Sequence, residues 1–191
     1  MKTKRLWIVF ILVMVVSFGI LGYFGREIYR EAPPIPEKVV VNNGKVLFTG
    51  QNIKDGQNIW QSIGGQEVGT VWGHGAYQAP DWTADWLHRE AVYLLDRLAG
   101  SEYGMKYDQL DEEKQAMLQI RLQKELRTNT YDSKTKTLNI SELRADAIEA
   151  VSGHYEALFM DGKELADLRE AYAIPTNSIK DAERMSKMNS F

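Results

Sequence analysis

Asp81, Asp85 and His88 stand at i, i+4 and i+7, so a helix running through them carries two carboxylates and an imidazole on one face. Such a set can bind a divalent cation or share a proton in acid–base work. The same spacing serves a solvated face equally well, with Asp81 as a helix N-cap and Asp85 paired to His88 or Arg89. Nothing near it has the H-E-x-x-H spacing of a zinc site. A hydrolase built on this face would lose its activity in Asp85→Ala.

Residues 72–77, WGHGAY, offer a second kind of chemistry. Gly73 and Gly75 let backbone carbonyls turn toward a ligand, Tyr77 adds an oxygen, and hard cations such as calcium take oxygens of this kind. A packed turn is the alternative. No Gly-Lys-Ser/Thr follows these glycines, so they do not make a phosphate loop. His154 lies in a helical pattern beside Tyr155 and reads as structural, while Trp60, Trp82 and Trp86 read as core aromatics. Cysteine is absent, which excludes disulfides, thiol catalysis, thiolate metal sites and covalent c-type haem attachment through C-x-x-C-H.

Both candidate groups fall within residues 64–90. That stretch holds five of the fifteen glycines, three of the five tryptophans and two of the three histidines. Each glycine costs chain entropy on folding, so clustering them beside large aromatics points to a loop shaped around something close.

The elements that must position this loop are mainly helical. Residues 38–49 (KVVVNNGKVLFT) read as a β-hairpin, with Asn43-Gly44 as a type I′ turn. Residues 52–63 read as a short helix capped by Asn52 and stopped by Gly64-Gly65. Asp81 caps a helix running to about Leu98 and ended by Gly100. Residues 111–127 form another helix, with Leu118, Leu122 and Leu126 on one face, and residues 135–140 a weak strand. Ser141 then caps a helix of about eighteen residues, Asp161-Gly162 breaks it, a shorter helix runs to Ala173, and residues 178–191 are helical again.

At the N-terminus, residues 6–24 (LWIVFILVMVVSFGILGYF) are free of charge. As a helix they span about 28 Å, close to the hydrocarbon thickness of a bilayer. A cleaved signal peptide is the alternative, but the run is long for one and ends without an Ala-x-Ala pattern. Lys2, Lys4 and Arg5 place the N-terminus in the cytoplasm by the positive-inside rule, with Trp7 and Tyr23 at belt positions. Residues 32–37 (APPIPE) form an extended spacer. Leaving out the three N-terminal cations, the remainder carries a net charge of −6, which argues against nucleic acid as a partner.

The stretch 64–91, GGQEVGTVWGHGAYQAPDWTADWLHREA, resembles the N-terminal region of bacterial quinol-dependent nitric oxide reductases. The resemblance extends over the whole chain, from anchor helix through hydrophilic ectodomain to trailing helix. It implies a fold that is mainly α with a small β-hairpin: a single N-terminal transmembrane helix followed by a cytochrome c-like extracytoplasmic domain. The boundaries are 1–25 for the cytoplasmic N-terminus and anchor, 26–37 for the spacer, 38–175 for the domain, and 176–191 for a helix leading to a second membrane span.

In that family the haem motif of the related cytochrome c subunit would fall at residues 62–68, SIGGQEV, where neither cysteine nor histidine stands. The resemblance therefore implies a haem-free domain, with electrons taken from quinol. It also implies that Gly75 and Tyr77 help hold a calcium ion at the interface with the catalytic region. That region carries b-type haems and a non-haem iron on about a dozen membrane helices. With one span and three histidines, this chain is expected to be an incomplete piece, inactive alone, which caps the reductase and contributes to the calcium bridge. The implied partners are membrane lipid, the catalytic region and, through it, quinol, in a bacterial cell membrane. A free-standing membrane-anchored accessory protein is the alternative.

Overall fold

The computed structural model describes residues 2–71, 73 and 80–191. They divide into two compact units, one ending at Ile35 and the other running from Pro36 to Phe191. The first is helix α1, Lys2–Glu31, long and apolar enough over Thr3–Glu31 to cross a membrane.

The second unit begins with strands β1 (Lys38–Val41) and β2 (Val46–Thr49). They pair antiparallel as a hairpin, but the turn differs from the type I′ expectation. Only Gly44 takes a positive φ, at 88°, and no such φ occurs at Asn43. The Gly44 N–H donates to the Val41 carbonyl at 2.8 Å and the Val41 N–H to the Lys45 carbonyl at 2.9 Å. That is a tight turn followed by a left-handed glycine in a bulge, which leaves Asn43 its ordinary backbone.

The hairpin is half of a four-stranded sheet ordered β2-β1-β4-β3. Strand β4 (Thr137–Ile140) runs parallel to β1, and β3 (Tyr131–Asp132) pairs antiparallel with β4. Val39, Val41 and Ile140 form the buried face of this sheet, with Ile148 among the side chains packed on it.

Helix α2 (Gly50–Ser62) starts earlier than expected. Thr49, not Asn52, is the N-cap, and Asn52 is the reciprocal partner in a capping box: its Oδ1 accepts the Thr49 N–H at 2.8 Å. Helix α3 (Trp82–Tyr103) is capped by Asp81, whose carboxylate accepts the Thr83 N–H at 3.0 Å. It runs through Gly100 and stops at Gly104, which supplies the left-handed φ of 68° that the C-cap needs. A glycine inside a helix only weakens it by about 1 kcal/mol; termination needs the left-handed turn.

Asp111, expected as the first helical residue, is instead the N-cap of helix α4 (Glu112–Arg127), while helix α5 (Glu142–Phe159) is capped by Ser141, as the sequence predicts. Short helices α6 (Ala166–Ala171) and α7 (Ala182–Asn189) follow. Helix α7 packs on α2, and α3 packs on both α4 and α5.

The main core gathers Trp60 from α2, Trp82 from α3, and Val151, Tyr155, Leu158 and Phe159 from α5, closed by Met185 and Met188 of α7. Around Trp82 the rings meet edge to face: it lies 6.3 Å from Trp60 and 5.7 Å from Phe159. Two glycines of the loop make this packing possible. A Cβ on Gly65 would overlap the Trp60 ring, and one on Gly69 would overlap the Trp82 indole. Gly65→Ala and Gly69→Ala should therefore each destabilise the domain by about 1–3 kcal/mol, read as a lowered melting temperature. A melting temperature unchanged in both would mean that the indoles shift freely.

Candidate functional site

The three side chains expected on one face of α3 do lie on that helix, but local bonding divides them. Asp81 is committed to its cap. Asp85 Oδ2 accepts two hydrogen bonds, from Arg89 Nε at 2.8 Å and from the Tyr155 hydroxyl of α5 at 2.7 Å. His88 is exposed. Among the described residues no three His, Asp or Glu side chains gather closely enough to hold a metal ion. The Asp81 cap and the Asp85–Arg89 ion pair are the solvated-face alternative of the sequence, with one addition that spacing does not reveal: Tyr155 ties this face to α5.

His154 precedes Tyr155 and is half-buried, with its Nε2 shielded from solvent and unpartnered among the described residues. Burial and the charge of Arg89 hold its pKa below the ordinary 6.5, partly offset by Asp85. Burial pushes the Asp85 carboxyl up, but the hydrogen bonds from Arg89 and Tyr155 outweigh it and leave the pKa below the ordinary 3.8. Burial, reinforced by the Asp85 carboxylate, raises the Tyr155 phenol well above its usual range.

The two depressed values have one sign. Each group binds fewer protons folded than unfolded, so its stabilisation is complete above the unfolded pKa and is lost as pH falls. Stability should decline as pH drops below about 6.5, where His154 begins to differ, and decline again near the Asp85 range. Thermal melts between pH 7.5 and 4 check this. His154→Gln should flatten the slope between pH 6.5 and 5, and an unchanged slope would remove His154 as its source.

An ionic pair that the sequence reading missed lies deeper. Glu90 is 2% exposed and accepts a hydrogen bond from Arg144 Nε at 2.9 Å. A signal for it was present: Trp82, Trp86, Glu90 and Leu94 recur every four residues along α3, which places an acid within the inward stripe. The pair borders a cleft of about 280 Å³ walled by Trp60, Trp82, Trp86, Tyr155 and Phe159. Trp86 stacks on Tyr155 with ring centroids 5.2 Å apart.

The loop before α3 is closed at its base. The Thr70 N–H donates to the Pro80 carbonyl at 3.0 Å, and the Trp82 N–H to the Thr70 carbonyl at 2.8 Å, which makes a parallel bridge between Thr70 and Asp81. Gly73 takes a φ of 72°. Gly75 and Tyr77, the residues expected to contact calcium, lie outside the described residues.

The family model for the NorB cytochrome c-like domain of nitric oxide reductase matches residues 36–191. The chain belongs to this family. No curated protein matches it. The span covered by the cytochrome c-like domain coincides with the second compact unit. The chain thus carries a domain of an oxidoreductase, preceded by one apolar helix suited to membrane anchoring.

Proposed function

We propose that this chain is the N-terminal part of a quinol-dependent nitric oxide reductase, where it caps the catalytic region and supplies part of a calcium bridge without itself binding haem. The observation that carries this reading is the match to the NorB cytochrome c-like domain over residues 36–191. Two features of the chain support the haem-free part. No cysteine is available for covalent attachment, and neither cysteine nor histidine stands in residues 62–68, where the haem motif of the related subunit would fall.

The parent reaction is 2 NO + 2 e⁻ + 2 H⁺ → N₂O + H₂O, and b-type haems and a non-haem iron in the catalytic membrane region supply its redox chemistry. This chain's part is positional. The bridge between Thr70 and Asp81 closes the segment between them; by the resemblance, Gly75 and Tyr77 within that segment would contribute oxygens to a hard cation at the boundary with that region.

The test uses membranes containing the chain together with its catalytic region. Quinol-driven NO consumption should fall on chelation and return with added calcium. Tyr77→Phe should raise the calcium needed for half recovery on the order of tenfold, as expected for one lost oxygen contact. Consumption indifferent to chelator, with equal calcium content in Tyr77→Phe, would sink the bridge. Membranes without any quinol-driven NO consumption would favour a free-standing accessory protein instead.

A further inference from the structure

The cleft beside the Glu90–Arg144 pair opens to solvent, as a ligand would need in order to enter it. Its volume of about 280 Å³ compares with roughly 150 Å³ for a cavity that accepts benzene, so it has room for about two fused rings. Its walls are aromatic, a lining that favours stacked or edge-to-face contact with another ring.

One end of the cleft is polar in a way that stability does not explain. Glu90 is 2% exposed and Arg144 26% exposed at the side chain, and a buried ion pair is often no better for stability than apolar residues of similar volume. Arg144 uses only Nε toward Glu90; among the described residues its two Nη groups have no hydrogen-bond partner. A guanidinium presents its donors as a planar fork suited to an acceptor at the edge of a flat molecule. The pair is already balanced in charge, so a charged ligand would bring an uncompensated charge into this end of the cleft.

We propose that this cleft binds a small, neutral, planar aromatic molecule of one or two fused rings that carries a hydrogen-bonding edge, the rings lying among Trp60, Trp82, Trp86 and Phe159 and the edge meeting Arg144 and Glu90. The probe is 6-fluoro-2-naphthol, titrated by fluorine NMR against the full chain in lipid nanodiscs. Saturable one-to-one binding is expected, with a Kd on the order of tens of micromolar for about twelve heavy atoms.

Ile148 and Leu87 also border the cleft, and Leu87 is 47% exposed at its rim. Ile148→Trp should fill the space and weaken binding at least about tenfold. Leu87→Trp is the second variant, placed where a larger side chain leaves the core untouched. 2-Fluoronaphthalene, without the hydroxyl, and 6-fluoro-2-naphthoate, with a charge, should both bind more weakly than the naphthol. Uptake that never saturates and equals that of empty nanodiscs would overturn the proposal. So would wild-type affinity in both tryptophan variants, and tighter binding of the naphthoate would overturn the requirement for neutrality.

Discussion

Replacing Arg144 with methionine is expected to lower the domain's stability by about 3–5 kcal/mol, the range for removing one partner of a buried pair. For a domain of this size that corresponds to roughly 10 °C in melting temperature. The effect arises at Glu90 rather than at position 144. Its carboxylate is 2% exposed and, among the described residues, has one ionic partner, through Arg144 Nε at 2.9 Å. Without the guanidinium it remains a charge held away from water with no ionic partner among the described residues. The double variant Glu90→Leu/Arg144→Met should recover most of the loss, because two apolar side chains leave no stranded charge. Melts of the wild-type chain, the single and the double variant in one buffer decide the matter. A double variant no more stable than Arg144→Met alone would show that the pair has a structural role beyond charge balance.

Trp82→Ala should cost a similar 3–5 kcal/mol for a different reason. The Trp82 ring is the hub of the aromatic core, with Trp60, Tyr155, Phe159 and Tyr172 all meeting it edge to face at centroid distances between 5.7 and 6.3 Å. Each such contact adds roughly 0.5–1.5 kcal/mol beyond the area it buries. Deleting the indole also opens a cavity that Gly69, lacking a side chain, cannot refill. Trp86→Ala is the control: Trp86 is only partly buried and, among the described residues, stacks on Tyr155 alone, so its loss should be clearly smaller. Equal losses for the two tryptophans would contradict the placement of the hub at Trp82.

The features legible in the sequence are those written in local chemistry. Asp81 and Ser141 cap their helices because a short oxygen-bearing side chain reaches its own chain's free amides, and this needs no knowledge of the rest of the fold. Gly100 is a misleading stop for the complementary reason. What ends a helix is a left-handed residue, and Gly104, four positions on, has the same letter. Asp81, Asp85 and His88 do belong to one helix, as their spacing predicts. The use of that helix face is settled by Tyr155, seventy residues from Asp85, which spacing within α3 cannot disclose. Glu90 shows the same limit: its position in an apolar stripe is visible, but its partner Arg144 lies fifty-four residues on. The clustering of glycines with tryptophans does carry meaning, because Gly65 and Gly69 are where the indoles press on the backbone.

The parallel pairing of β1 with β4 also sets a timetable. Lys38 aligns with Thr137 and Val41 with Ile140, so the inner edge of β1 has no partner until about a hundred further residues exist. At ordinary synthesis rates of about 5–20 residues per second, that wait is on the order of ten seconds. The hairpin with β2 can close at once, because its turn is local, yet it is only half of the finished sheet. For those seconds Val39 and Val41, buried in the folded domain, sit on an open strand edge. The newborn chain is then most exposed to aggregation, and a chaperone that covers short apolar strands would matter most to it.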